Sequence, residues 1–196
     1  TDLSDRDPTN NLTIIDGQGA RRCVYAGVSM TGALLDGFVI ANGSAPSGPG
    51  GGLFAENGVP QIRNCTFQGN SGGCGGGVCG SGYGSDLAEC VIIGNTASDY
   101  GGGGFSYAGS TRLASCTLSD NTAREGGGAW ISDSIAQISG GTFDGNSALG
   151  GQSALGGAIR CMGSVLKAAG VRFVSNTASA TRDGHGGAIY SESGNV

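Results

Sequence analysis

Three acids, Asp99, Glu125 and Asp183, stand beside glycine-rich stretches of this 196-residue chain, with Arg124, Arg182 and His185 close by in sequence. Carboxylates near one another suggest carbohydrate chemistry. Glycoside hydrolysis needs two carboxyl groups about 5 to 10 Å apart, one of them kept protonated by its surroundings. Neither that pattern nor the clustered aspartates and basic catalyst of a lyase is visible here. Charged groups in loops are ordinarily solvated, and His185, the sole histidine, lies within a glycine turn. The catalytic set is therefore none, with Asp99, Glu125 and Asp183 as the alternative.

The 7 cysteines are the next candidates for chemistry. Cys65, Cys90 and Cys116 occupy one repeated position, which favours stacked, buried thiols over a disulfide framework. A glycine turn brings Cys74 and Cys79 near one another, and these two are the candidates to pair. Zinc would want CxxC-like pairs or histidines, so no metal and no cofactor is expected. The 10 basic residues are outnumbered by 15 acidic ones, giving a net charge of −5, which argues against nucleic acid. No apolar run is long enough to span a membrane.

The elements that must position these residues are set by a repeat. Asn70, Asn95, Asn121, Asn146 and Asn176 recur at intervals of 25, 26, 25 and 30 residues. A large apolar residue stands three positions before each, and a glycine-rich run follows each. Repetition of this length, carried through most of the chain, indicates a stacked architecture. Cys65-Thr66-Phe67 alternates with period two, as a half-buried strand does. Equivalent inward pairs are Phe38/Ile40, Cys90/Ile92, Cys116/Leu118, Gly141/Phe143 and Val171/Phe173, preceded by inward Leu35, Ile62, Leu87, Leu113, Ile138 and Ala168. After the glycines the inward positions read Leu53, Val78, Phe105, Ala129, Ile159 and Ile189, so Phe54, Cys79, Ser106, Trp130, Arg160 and Tyr190 point outward. Asparagine suits a turn because it tolerates left-handed backbone, and its amide can bond the same group one coil away. These features specify an all-β chain of about seven coils, each 25 to 30 residues, forming one parallel β-helix domain over residues 1–196. Residues 1–10 form a polar extension. The length variation falls between the asparagine and the glycines and is largest over residues 149–155 and 179–185, which makes that edge the first candidate for function.

GGAI at Gly156–Ile159 and Gly186–Ile189, GGAW at Gly127–Trp130, and FxxN as FQGN, FDGN and FVSN alternate in one phase. This pattern resembles the repeat of chlamydial polymorphic outer-membrane proteins and the wider bacterial right-handed parallel β-helix repeats. The resemblance implies a right-handed rod at a bacterial cell surface or secreted, often an autotransporter passenger and often adhesive.

The functional expectation is thus an extracellular structural or adhesive module that offers its loops and the aromatic stripe of Phe54, Trp130, Arg160 and Tyr190 to a surface glycan or protein. A carbohydrate-active β-helix is the alternative. A second is a fibre subunit stacking end to end, since an open coil invites another strand and the chain reads as a module of a longer rod. Thr66, Thr117 and Thr142 form an outward ladder of the kind ice binding uses, but Val91 and Arg172 interrupt it.

Overall fold

Alternation in Cys65-Thr66-Phe67 sends the cysteine and the phenylalanine inward, and it produces the strand Thr66–Gln68 with Cys65 and Phe67 buried. A computed structural model describes residues 12–193 except Ser29, Thr31, Val59 and Tyr83, with Phe105, Ser106 and Tyr107 described by backbone alone. The polar extension at residues 1–10 lies outside the described residues. All the strands pair in parallel, each with its counterpart one coil away, in two seven-stranded sheets, two six-stranded sheets and a separate pair. The result is a parallel β-solenoid of about seven coils, and no helix occurs among the described residues.

Like residues stack on like through the lumen. One row runs Ile15, Ile40, Phe67, Ile92, Leu118, Phe143, Phe173, and a second runs Leu35, Ile62, Leu87, Leu113, Ile138, Ala168. Both match the expected inward positions. The row after the glycines is Val24, Leu53, Val78, Gly104, Ala129, Ile159, Ile189. Gly104, not Phe105, therefore takes the inward register, and Phe105 aligns with Cys79 and Trp130. The tryptophan of GGAW falls in the register of Arg160 for the same reason, one residue out of phase with the isoleucine of GGAI. A fourth glycine in the run at Gly101–Gly104 hides the true phase.

Each coil turns at left-handed residues. In the coil of Asn95 these are Glu89, Gly94, Gly101 and Ala108, with φ between 54° and 63°. The asparagines themselves are not among them, which corrects the expectation that they hold the left-handed corner. They point inward and are 0 to 1% exposed from Asn70 to Asn146. Asn95 Nδ2 donates to the Phe67 carbonyl and to Asn121 Oδ1, both at 3.0 Å. Its own Oδ1 accepts from the backbone and side-chain nitrogens of Asn70, both at 2.9 Å. The ladder thus satisfies every donor and acceptor of the buried amide. Cys65, Cys90 and Cys116 stack beside it as buried free thiols, each donating to the carbonyl two residues earlier at 3.1 to 3.4 Å.

Candidate functional site: the glycine corner

Two rows of side chains flank the glycine run on the outside of the rod. Before the run stand Pro49, Cys74, Tyr100, Glu125, Leu155 and His185, stacked coil on coil. After it stand Tyr25, Phe54, Cys79, Trp130, Arg160 and Tyr190, with the Phe105 backbone in register between Cys79 and Trp130. The glycines between them allow a turn too tight for side chains. Gly126 has φ +63°, and a Cβ on Gly127 would lie 2.5 Å from the backbone of Ser147 and Gly157. Folding the chain back so sharply lays the first row over the second.

This roof changes the meaning of the aromatic stripe. Tyr100 stacks on Trp130 with ring centroids 4.9 Å apart, and His185 stacks on Tyr190 at 6.0 Å. Arg22 donates to the carbonyls of Pro49 and Gly50, and its guanidinium lies 5.2 Å from the Phe54 ring centroid. Trp130 and Arg160 are consequently only 6% and 4% exposed, while Phe54 and Tyr190 are half-buried. The stripe does point away from the lumen, as its register requires, but it is not the open aromatic surface expected from the sequence.

Arg160 is held from three sides. Its Nε lies 3.3 Å from Glu125 Oε2, its Nη2 lies 2.9 Å from Glu192 Oε2, and its guanidinium sits 4.7 Å over the Tyr190 ring. These contacts offset the desolvation of a buried cation. Glu125 is thereby occupied. Its neighbour Asp99 lies one coil away, as stacking predicts, since the Glu125 backbone N–H donates to the Asp99 carbonyl at 3.1 Å. The Asp99 carboxylate faces Arg124 instead, at 3.9 Å and largely exposed. Asp183 stands apart from this pair, on a strand beside Ser153. Among the described residues no cluster of three or more His, Cys, Asp or Glu could hold a metal ion.

The enlarged loops of the sixth and seventh coils take their own regular form. Ser153–Leu155 and Asp183–His185 pair as an additional two-stranded parallel ladder. Thr181 donates its backbone N–H to the Gly151 carbonyl, and Asp183 donates to that of Gln152, each at 3.0 Å. Gln152, Ser153, Arg182, Asp183 and His185 are exposed on it. Tyr100, Arg22 and Glu192 are parts of the glycine corner that the motif pattern did not single out. Tyr100 could have been found by its place immediately before a glycine run, which the other roofing residues share.

Residues 170–192, within the seventh coil, match the Chlamydia polymorphic membrane protein repeat. The chain is a β-helix repeat protein resembling those proteins. The matched stretch contains FVSN and GGAI, whose Phe173 and Ile189 pack toward the core and whose Asn176 is the last rung of the ladder. The motif residues are therefore scaffold. No curated protein and no solved structure matches the β-helix. No helix among the described residues is long and apolar enough to cross a membrane.

Proposed function

We propose that this β-helix is a surface-displayed, non-catalytic module whose partner, a glycan or a protein, docks on the edge built by the enlarged corners of the sixth and seventh coils. The observation that carries this reading is the added ladder of Ser153–Leu155 and Asp183–His185, which exposes Ser153 and the whole of its second strand. From Leu53 onward the span from each post-glycine inward residue to the next coil is a uniform 12 residues, so insertion in the later coils is confined to one edge. Insertions gathered on one face of a solenoid are where binding surfaces usually form. Arg182, Asp183 and His185 supply polar groups there beside the half-buried Tyr190 ring, a combination suited to sugars or polar protein surfaces. The matched repeat is named for a polymorphic membrane protein, which supports display at a bacterial cell surface.

Deleting residues 150–154 and 180–184 would restore the 13-residue span found between Cys116 and Ala129 while keeping every coil. On a glycan array and on immobilised cell-surface proteins, the intact chain is expected to bind, with at least a tenfold loss in the trimmed variant. Equal binding by the trimmed variant would reject this edge as the docking surface. Cleavage of a polysaccharide panel, abolished by Asp99→Ala or Glu125→Ala, would instead support the carbohydrate-active alternative.

A further inference from the structure

The third coil places two thiols where the last coil places two stacked rings. Cys74 ends the strand Ser71–Cys74 just before the glycines, and Cys79 is the outward residue of Val78–Ser81 just after them. His185 and Tyr190 hold these same two positions in the seventh coil and meet across the corner at 6.0 Å. In the third coil a methyl group placed on Gly75, next in sequence to Cys74, would lie 2.9 Å from the Cβ of Cys79. Both cysteines line one open cleft together with Phe54, Ser81 and Asp99. Cys79 is 1% exposed and Cys74 is half-buried, so a reagent entering the cleft meets Cys74 first. The luminal thiols of Cys65, Cys90 and Cys116 are buried in the apolar core and turned toward backbone carbonyls.

We propose that Cys74 and Cys79 are a disulfide-forming pair, which a low-molecular-weight disulfide oxidises to a staple across the Gly75–Gly77 corner. The Cys74 thiolate attacks one sulfur of the small disulfide, forming a mixed disulfide and releasing one small thiolate. The Cys79 thiolate then attacks the Cys74 sulfur and expels the second small thiolate. Two cysteines lose two protons and two electrons, and one small disulfide is reduced to two thiols. The closed ring is short, so the staple acts by fixing the corner rather than by restricting a long unfolded loop. Burial, then the nearby Asp99 charge, raises the Cys74 thiol above its ordinary pKa, so the first step quickens as pH rises.

The test treats the folded chain with oxidised glutathione at about pH 8 and again near pH 9.5, within the range where thiolate populations change. The protein is then unfolded, free thiols are alkylated, and peptides are sequenced by mass spectrometry. The expected product lacks two hydrogens and carries a Cys74–Cys79 link, with Cys23, Cys65, Cys90, Cys116 and Cys161 alkylated. Cys79→Ser should stop at a glutathione adduct on Cys74, and Cys74→Ser should leave Cys79 alkylatable. Arrest of the natural chain at the Cys74 adduct would overturn the proposal, because the two sulfurs then do not meet. A link to any other cysteine, or no modification at either position, would overturn it as well.

Discussion

Asn95 makes four side-chain hydrogen bonds inside the rod, two given and two received, and none of its partners has water to fall back on. Asn95→Ala would strand the Phe67 carbonyl and two Asn70 donors at once, while Asn121 Oδ1 would keep only the backbone N–H of residue 95. Each buried group left unsatisfied costs about 1 to 3 kcal/mol, so a loss of roughly 3 to 5 kcal/mol is expected after partial relaxation. Asn176 forms the half-buried last rung, and Asn176→Ala should cost about a third as much. Urea unfolding followed by far-ultraviolet circular dichroism distinguishes the two, and equal losses would mean that the ladder is not cooperative with burial. The spacing of the ladder was readable in the sequence because nothing but a stack keeps an asparagine at such intervals. Its conformation was not, since Gly94 next door makes the turn and frees Asn95 to point inward. A one-residue difference of this kind leaves the period untouched. The thiols of the adjoining row were readable for the opposite reason: a small apolar group at a strand position needs no partner beyond its neighbours.

At the scale of strands and corners, the glycine run both sets the turn and decides which face is covered. Gly127→Ala would push a methyl group against the backbone of Ser147 and Gly157 in the next coil, whereas the same change at Gly151 meets open space. The first is expected to lower stability by about 3 kcal/mol or more, and the second by less than about 0.5 kcal/mol, as unfolding midpoints would show. Arg160→Met would leave Glu125, whose side chain is 18% exposed, without its partner over the roofed stripe. The expected loss is about 2 to 3 kcal/mol. Adding Glu125→Gln to that variant should recover part of it, and a double-mutant cycle showing no coupling would refute the pairing. Strand phase was nearly all legible, and the one slip had a visible signal. Counting inward from Phe105 gives 11 residues to Cys116, while Gly104 restores the 12 found from Leu53, Val78, Ala129 and Ile159. The roof was illegible in type. Pro49, Cys74, Tyr100, Glu125, Leu155 and His185 share a position but no chemistry, so periodicity could not reveal that they cover Trp130 and Arg160.

Across the whole rod, burial of thiols couples folding to alkaline pH. Burial raises the Cys65, Cys79 and Cys161 thiols, and a hydrogen bond to Cys116 together with burial raises that of Cys90. Such a thiol keeps its proton in the folded rod at a pH where the unfolded chain has already lost it. The unfolded state then binds fewer protons, so stability falls as pH climbs. Below the ordinary thiol value of 9.0 both states are protonated, and this contribution to stability is fully present. In reducing buffer, the urea midpoint is therefore expected to be insensitive to thiols between about pH 7 and 8 and to decline above pH 9. Replacing Cys65 and Cys161 together by alanine provides the control, because the hydrogen bond that raises the Cys90 thiol lowers that of Cys116. That variant should start from a lower midpoint, because two packed sulfurs are gone, yet decline less steeply in the alkaline range. Tyrosine and lysine ionisation and the growing negative charge act on both proteins alike, so the difference in slope isolates these two buried thiols. Parallel slopes would show that these thiols ionise as freely in the folded rod as in the unfolded chain, contrary to their place in the lumen.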